Sequence, residues 1–297
     1  MARLWKKWVP IILFALSAAP IRAADEPNVM VFRYHEADSP SDQRDRYNWR
    51  VLAAVLERTR AAYGDYRLVP STRQAGFRQA DGVLGGNDVR NVTVLAGRPG
   101  AADEVIGVRI PVDRGLIGYR VLLIRDADQR RFARIENRRD LSRISIGQLD
   151  SWQVTKILRA DGMNVVTGES YEGLFKMLMT RRFDAFSRGV GEIGDEYDSH
   201  SAEYPGLAIE KTLLLHIPMA EYFWFPNDEE GRRHAERVRI GLQAMISDGS
   251  LKTLFDQEFG ERLRRLDIGG RRVIELPNPV QEHPEFDENS DLWFKLN

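Results

Sequence analysis

The sequence predicts an α/β fold, because segments with strand-like and helix-like patterns alternate along the chain. The clearest unit is residues 167–189. There Ser170 is placed to cap a helix whose apolar residues recur at helical spacing, and a short apolar run at residues 183–186 predicts a buried strand. No internal repeat and no low-complexity linker interrupts the pattern. A chain of 297 residues can bury a substantial core in one large or two medium domains.

Polar residues follow the strand predicted at residues 183–186. Ser187 and Arg188 come directly after the apolar run. In an open α/β sheet, ligands bind just outside the carboxyl ends of the strands. Ser187 and Arg188 are therefore candidate binding residues. The alternative is that Arg188 only begins a solvated loop.

The first half of the chain supplies four predicted strands and two predicted helices. Aromatic and β-branched residues favour the strands. In the helix at residues 47–63 the apolar side chains lie on one face, and Gly64 stands at the position that ends a helix. The predicted strands are residues 29–34, 66–69, 91–95 and 119–124, and the predicted helices are residues 47–63 and 72–80.

The second half repeats the alternation after a charged stretch at residues 125–139, which is predicted to be a surface connection. Asn227 and Glu230 resemble a capping box that begins a long helix, and Gly249 breaks that helix. The tail from Gly269 contains several prolines and is expected to wrap the body as a strap. The predicted strands are residues 144–147, 165–166, 209–215 and 222–225, and the predicted helices are residues 151–160, 171–182, 227–246 and 251–259.

The N-terminal residues have the pattern of an export signal. Residues 1–23 contain a basic start, an apolar stretch at residues 8–19 and a plausible cleavage site. The apolar stretch is too short for a comfortable transmembrane helix. The chain has no cysteine, which excludes disulfides, thiol catalysis and cysteine metal sites. We therefore expect a soluble secreted or periplasmic protein.

The order of the predicted elements divides the chain after the signal into two lobes. Residues 24–124 and 220–297 are predicted to form lobe 1, together with the C-terminal strap, and residues 125–219 are predicted to form lobe 2. The strands at residues 121–125 and 222–225 are the expected crossings between the lobes. Two hinged lobes leave a cleft in which a small molecule can be captured.

Three segments of the chain carry a family resemblance. They are Asp140-Leu141 leading into residues 144–147, SYEGLFKMLMTRRFDAF at residues 170–186 and LQAMISDGSLKTLFDQEFG at residues 242–260. In them the chain resembles the bacterial extracellular solute-binding proteins of the amino-acid-type group, which have the type II periplasmic-binding fold. The tail at residues 273–279 is similar to a separate branch of that superfamily. The resemblance implies a two-lobed exported protein that works with an ABC transporter in amino-acid transport.

The resemblance also implies where a ligand binds. Amino-acid binders of this group place an arginine of the first lobe against the ligand carboxylate, and an aspartate after the "Asp-Ala" strand of the second lobe against the ligand ammonium. Here Arg98 matches the arginine better by order, with Arg109 as the alternative. Ser187 or Arg188 stands in place of the aspartate, and no acid follows until Glu192. Paired arginines favour an anionic ligand over a zwitterion.

Other residues at predicted strand ends complete the candidate site. Gln148 and Trp152 flank the start of a predicted helix, whose free amides could hold an anion, and Trp152 could form an apolar or cation-binding wall. Tyr34 and His35 end the first strand and would form the opposite wall. For each aromatic residue, ordinary packing is an equal alternative. The candidate ligand-binding residues are thus Tyr34, His35, Arg98, Gln148, Trp152, Ser187, Arg188 and Glu192.

Three function classes stay open. The first is a monomeric solute-binding protein, not an enzyme and without a cofactor, that captures a small polar, anionic or amino-acid-like ligand for a membrane permease or sensor. The second is a periplasmic enzyme on the same fold, with His35, Glu36 and Glu192 for acid/base chemistry. The third is a degenerate lobe pair that binds another protein. The histidines lack metal-ligand spacing, no G-x-S-x-G motif or P-loop is present, and the arginine-rich stretches are interleaved with acids, so metal, hydrolase and nucleic-acid sites are not expected.

Overall fold

The computed structural model of the chain describes residues 29–35, 45–71, 91–98, 103–279 and 290–296. The export signal predicted at residues 1–23 and the helix predicted at residues 72–80 lie outside these ranges. Within these ranges, no helix combines the length and the apolar character needed to cross a membrane.

The strands of the described residues form three sheets. Their bounds are β1 (Met30–His35), β2 (Tyr66–Ser71), β3 (Thr93–Leu95), β4 (Val105–Val108), β5 (Tyr119–Arg125), β6 (Ser145–Leu149), β7 (Asn164–Gly168), β8 (Ala185–Gly189), β9 (Leu207–Ile209), β10 (Leu213–His216), β11 (Tyr222–Pro226) and β12 (Arg272–Glu275). β1 and β2 form a parallel pair, and β11 lies between β3 and β4 in an antiparallel sheet. The largest sheet has the order β12-β10-β5-β8-β6-β7, with β9 also paired to β5.

Helices cover these sheets. Their bounds are α1 (Arg46–Arg58), α2 (Arg60–Tyr63), α3 (Gln129–Phe132), α4 (Arg138–Leu141), α5 (Gln153–Ala160), α6 (Tyr171–Met179), α7 (Ile193–His200), α8 (Glu229–Ser247) and α9 (Ser250–Leu266). The predicted inward face of α1 is buried, and Gly64 ends this helical region with a positive φ of 78°. Ser170 caps α6 as predicted, by accepting the backbone N–H of Gly173.

β5 lies inside the largest sheet and has apolar side chains on both of its faces. Val121 and Leu123 pack into one apolar cluster with the buried side of α6, whereas Leu122 and Ile124 pack into a second cluster with the buried side of α5. Alternate side chains of a strand point to opposite faces, so a continuous apolar run fits a strand covered by helices on both sides.

Two chain segments connect the largest sheet to the β3-β11-β4 sheet. The first crossing, residues 109–118, leads from β4 to β5, and the second crossing, residues 217–221, leads from β10 to β11. They lie side by side, since the Ile217 N–H donates to the Gly118 carbonyl at 3.0 Å and the Val112 N–H donates to the Glu221 carbonyl at 3.0 Å. A Cβ on Gly118 would lie 2.2 Å from the Ile217 carbonyl oxygen, so only glycine permits this approach.

The C-terminal tail packs on the first crossing. Arg114 donates from Nε to the Leu292 carbonyl at 2.8 Å, and the Phe294 N–H donates to the Arg114 carbonyl at 2.7 Å. Trp293 between them is buried. These contacts tie residues 290–296 to the segment that joins two of the sheets.

Several predicted elements need correction. β5 lies entirely in the largest sheet, so the first crossing precedes it instead of being formed by residues 121–125. Arg125 does not begin a surface connection: it is buried, and its Nη1 donates to the Phe183 carbonyl at 2.9 Å. The strand predicted at residues 209–215 is interrupted at Glu210, whose carboxylate accepts the backbone N–H groups of the following turn.

The ends of two helices also differ from the prediction. The cap of α8 is Asp228 instead of Asn227, because the Asp228 side chain accepts the Gly231 N–H at 2.7 Å. The last helix, α9, continues to Leu266 instead of ending at Phe259. β4 and α7 were not predicted, and α7 lacks the apolar periodicity by which helices are recognised.

Candidate functional site

A cleft opens at the carboxyl end of β8, where an α/β sheet commonly binds ligands. It contains about 770 Å³ of empty space, which includes open solvent. α1, α9 and both crossings line one side, and the end of β8, α6 and α7 line the other. The lining is acidic, with the carboxylates Asp113, Glu192, Asp195, Glu196, Glu221 and Glu258 and the basic residues His200 and Arg262.

Two of these carboxylates come from the two crossings. The Glu221 N–H donates to Asp113 Oδ1 at 3.0 Å, and the Ile117 N–H donates to Asp113 Oδ2 at 2.7 Å. Neither Asp113 nor Glu221 forms an ion pair with any residue in the part of the chain that the structure describes. We call Asp113 and Glu221 the crossing carboxylates.

Burial disfavours negative charge on both crossing carboxylates. It raises the pKa of Asp113 from 3.8 to about 6, against the opposing effect of the backbone N–H groups. Burial and then the charge of Asp113 raise the pKa of Glu221 well above its ordinary value. Because the charge of one disfavours the charge of the other, the two groups titrate together as a pair.

Asn48 on α1 adds a further polar group to this end of the cleft. Its Nδ2 donates to Glu221 Oε2 at 2.8 Å, and the residue is 1% exposed. Its Oδ1 is buried without a hydrogen-bond partner among the described residues. A buried carbonyl oxygen that lacks a donor is costly, so Asn48 marks a place where a donor would be favourable.

Arg188 does not follow β8 but lies within it, fully paired. Its Nε donates to Glu196 Oε2 at 2.7 Å, and its Nη2 lies 3.1 Å from Glu192 Oε2. Burial alone would lower the pKa of Arg188, but the charges of Glu192 and Glu196 outweigh burial and raise it. Its guanidinium lies 4.6 Å from the ring centre of Trp152. The solvated loop considered for Arg188 is thus wrong, and the argument for an anionic ligand loses one of its two arginines.

The neighbouring candidates Ser187 and Gln148 are also buried. Ser187 Oγ accepts from Arg120 Nε at 3.0 Å, and Gln148 Nε2 donates to the Ser187 carbonyl at 3.0 Å. Burial lowers the pKa of Arg120 to about 10. Both candidates bind the interior of the sheet, and neither lines the cleft.

The remaining candidates are spread over the structure. Glu192 lines the cleft, and Trp152 covers Arg188. Tyr34 packs on Trp49 with ring centres 5.0 Å apart, away from the cleft lining. Arg98 and the alternative Arg109 are exposed and do not line the cleft. The His35 side chain and Glu36 lie outside the described residues.

Sequence reasoning missed the crossing carboxylates, Asn48 and Glu196. Asp113 and Glu221 are 108 positions apart, and no local pattern marks either of them. Asn48 stands at the start of a predicted helix, where polar residues are common and do not indicate a binding site. Glu196 lies on α7, which was not predicted.

Comparison with known proteins identifies the fold. No family model matches the sequence, and no curated protein matches it. An ancestral arginine-binding protein bound to arginine has a similar structure, with a TM-score of 0.53 and 14% identity over 78% of this chain and 99% of that chain. A structure described for glutathione import via GshT and the cystine ABC importer TcyBC of Streptococcus mutans has a TM-score of 0.53 and 12% identity over 79% and 96%.

A third similar structure is the GluR0 ligand-binding core in complex with L-glutamate. Its TM-score is 0.52, with 10% identity over 78% of this chain and 99% of that chain. The predicted α/β fold and the resemblance in fold to the two-lobed solute-binding proteins are thereby confirmed.

Proposed function

We propose that this protein is an exported solute-binding protein that captures a small amino-acid-like molecule in the cleft at the carboxyl end of β8. The observation that carries the proposal is the cleft itself, because two adjacent crossings and helices from both sides contribute to its walls. A pocket between two parts of a chain that are joined by short crossings can close on a solute. The similar structures described as arginine-binding, importing or glutamate-bound support this class of function.

The proposed lobes, localisation and partners are those typical of solute-binding proteins. The lobes would divide at the two crossings, with the β1-β2 and β3-β11-β4 sheets in one lobe and the largest sheet in the other. β5 and β12, assigned to lobe 1 from the sequence, would therefore move with lobe 2. The signal at residues 1–23 would direct the chain to the periplasm, where the monomer would deliver its solute to an ABC transporter permease or to a sensor. We propose no cofactor.

A thermal-shift screen tests the function. The protein without residues 1–23 is heated with amino acids, dicarboxylates, small sugars, polyamines and phosphate esters. A ligand at 100 times its dissociation constant adds about 2.7 kcal/mol to the free energy of unfolding. For a domain pair of this size we expect the melting temperature to rise by roughly 5–10 °C. A folded protein that no compound in any class stabilises would contradict the proposal.

One observation favours the alternative of an enzyme on the same fold. The crossing carboxylates have raised pKa values, as the acid and base of an enzyme often do. The two functions differ in turnover, because a binding protein returns its ligand unchanged. We expect NMR spectra of a stabilising compound to stay constant during overnight incubation with the protein, and conversion of the compound would favour the enzyme.

A further inference from the structure

The carboxylates of the cleft fall into two groups. Four of them form ion pairs with arginines. Glu192 and Glu196 pair with Arg188, and Asp195 pairs with Arg262. Glu258 pairs with Arg46, Arg50 and Arg262. The crossing carboxylates, Asp113 and Glu221, form no ion pair in the described part of the chain. Negative charge that the protein itself does not compensate is therefore concentrated where the two crossings meet.

The charged groups around the crossing carboxylates mostly add to this negative charge. Asp45 and Glu192 both act on Glu221 with the same sign, since their charges raise its pKa. The opposing charge is Arg120, whose Nε and Nη2 donate to Ser187 Oγ and to the Ser187 carbonyl at 3.0 and 2.9 Å. Arg114 on the first crossing donates to the backbone of the C-terminal tail.

The hydrogen bonds that the described residues form at this place leave one buried acceptor without a donor. Glu221 Oε2 accepts from Asn48, and the Oδ1 of Asn48 has no partner among the described residues. Asn48 is buried and lines the same cleft, so its Oδ1 is a further acceptor beside the two carboxylates. Two carboxylates and an amide oxygen are all acceptors. The chemical group that would satisfy them is a cation with several N–H donors.

An anion would be unfavourable at the same place. Charges of like sign repel each other, and this repulsion is stronger at the effective dielectric constant near a protein surface than in bulk water. Arg262, the arginine that lines the cleft, is held by two carboxylates, with Nη2 at 3.0 Å from Asp195 and 3.3 Å from Glu258. A bound ammonium or guanidinium would instead stabilise the ionised form of the crossing carboxylates.

We infer that the solute of this cleft carries a net positive charge, and that Asp113, Glu221 and Asn48 bind its ammonium or guanidinium group. The inference rests on the proposed function and specifies the chemical class of the solute for the same cleft. It replaces the anionic ligand expected from the sequence.

Isothermal titration calorimetry of the protein without residues 1–23 tests the inference. The compounds are arginine, lysine and putrescine as cations, glutamine as a neutral side chain, glutamate as an anion, and calcium chloride as a metal cation without donors. We expect at least one of the organic cations to bind at least about tenfold more tightly than glutamine or glutamate, which corresponds to about 1.4 kcal/mol.

Variants of the crossing carboxylates locate the site. Glu221→Gln keeps the size of the side chain and an oxygen for the Asn48 bond, and we expect it to weaken binding of the organic cation by at least about tenfold. Asp113→Asn serves as the second variant. Glu136→Gln is the matched control, since this exposed glutamate lies outside the cleft, and it should bind like the wild type.

The outcomes separate the inference from the function on which it rests. If glutamate, glutamine or calcium binds and none of the organic cations binds, the inference is wrong. If the compound that binds is glutamate or glutamine, the proposed solute-binding function is still supported. Unchanged affinity for the cation in both folded crossing variants also overturns it. No binding by any compound class overturns the proposed function and the inference with it.

Discussion

Two pairs of carboxylates lie at different places in the same cleft. Glu192 and Glu196 surround the guanidinium of Arg188, whereas the crossing carboxylates Asp113 and Glu221 have no arginine partner in the described residues. Both places are largely withdrawn from water. The difference is that, among the described residues, the first place contains an arginine of the protein and the second does not. We conclude that the first pair serves to hold the fold and that the second pair is available to a solute.

The Arg188 pair is complete in charge, hydrogen bonding and packing. Glu196 accepts two hydrogen bonds from the guanidinium. The guanidinium lies within 6 Å of the ring centres of Trp152, Tyr171 and Phe186. A planar cation that is enclosed by aromatic rings and carboxylates is satisfied by contacts alone and needs no ligand.

The crossing carboxylates are incomplete by the same standard. Asp113 is held by three backbone N–H groups, which supply hydrogen bonds but no full charge. Its pKa and that of Glu221 are raised, as expected for buried acids that repel each other. Such a pair takes up a proton when no other cation is present.

The largest expected effect comes from removing the cation of the complete pair. Arg188→Ala leaves Glu196 and Glu192 buried without compensation, and we expect the free energy of unfolding to fall by about 3–5 kcal/mol. Urea denaturation monitored by tryptophan fluorescence measures this loss. Glu196→Gln in the Arg188→Ala background should recover part of it, because one of the uncompensated charges is then gone.

Arg131→Ala is the matched control for Arg188. Arg131 also donates twice to one carboxylate, that of Asp184, but its side chain is 49% exposed. Since water screens this pair, its loss should cost at most about 1 kcal/mol. An equal loss of unfolding free energy in the two variants would show that burial does not strengthen the Arg188 ion pairs.

The second effect is a change in how stability depends on pH. Because the folded-state pKa of Asp113 is raised from 3.8 to about 6, the carboxyl binds its proton more tightly in the folded protein. Its contribution to the free energy of unfolding is therefore fully present below pH about 4 and is lost as the pH rises through about 6. Glu221→Gln removes the repulsion, so we expect it to stabilise the protein by about 1–2 kcal/mol at pH 8 and by much less at pH 4.

Urea denaturation at pH 4, 6 and 8 measures this difference. The exposed control Glu136→Gln should give a curve parallel to that of the wild type at each pH. A Glu221→Gln protein whose stability differs from that of the wild type by the same amount at all three pH values would mean that the charge of Glu221 does not destabilise the folded protein.

The sequence predicted the features that depend on local patterns. The apolar side chains of α1 recur at helical spacing and are buried, and Gly64 adopts the positive φ expected after a helix. The apolar run before Ser187 predicted the beginning of β8 but not its end. The strand continues through Arg188 because Glu192 and Glu196 compensate the arginine, and their positions follow from α7, which carries little apolar pattern.

The site depended on contacts between distant parts of the chain. Asp113 and Glu221 meet only because the two crossings lie side by side, which Gly118 permits at the Ile217 carbonyl. No spacing in the sequence encodes that approach. Polar residues at predicted strand ends therefore indicated arginines such as Arg98, whereas residues between the strands determine the charge of the cleft.

The smallest effect is expected where the sequence favoured a ligand contact. Arg98 is exposed, and the adjacent Gly97 faces α5, since a Cβ there would lie 2.6 Å from the Gln153 side chain. Arg98→Ala should change the affinity for the cationic solute by less than about twofold and the free energy of unfolding by at most about 0.5 kcal/mol. Arg109→Ala, the other exposed arginine considered from the sequence, is the matched control. Titration calorimetry of both variants at low and high salt shows whether either arginine contributes to solute binding. A tenfold loss in one of them at both salt concentrations would mean that an arginine binds the solute, and the solute would then need an anionic group in addition to the cation that the crossing carboxylates favour.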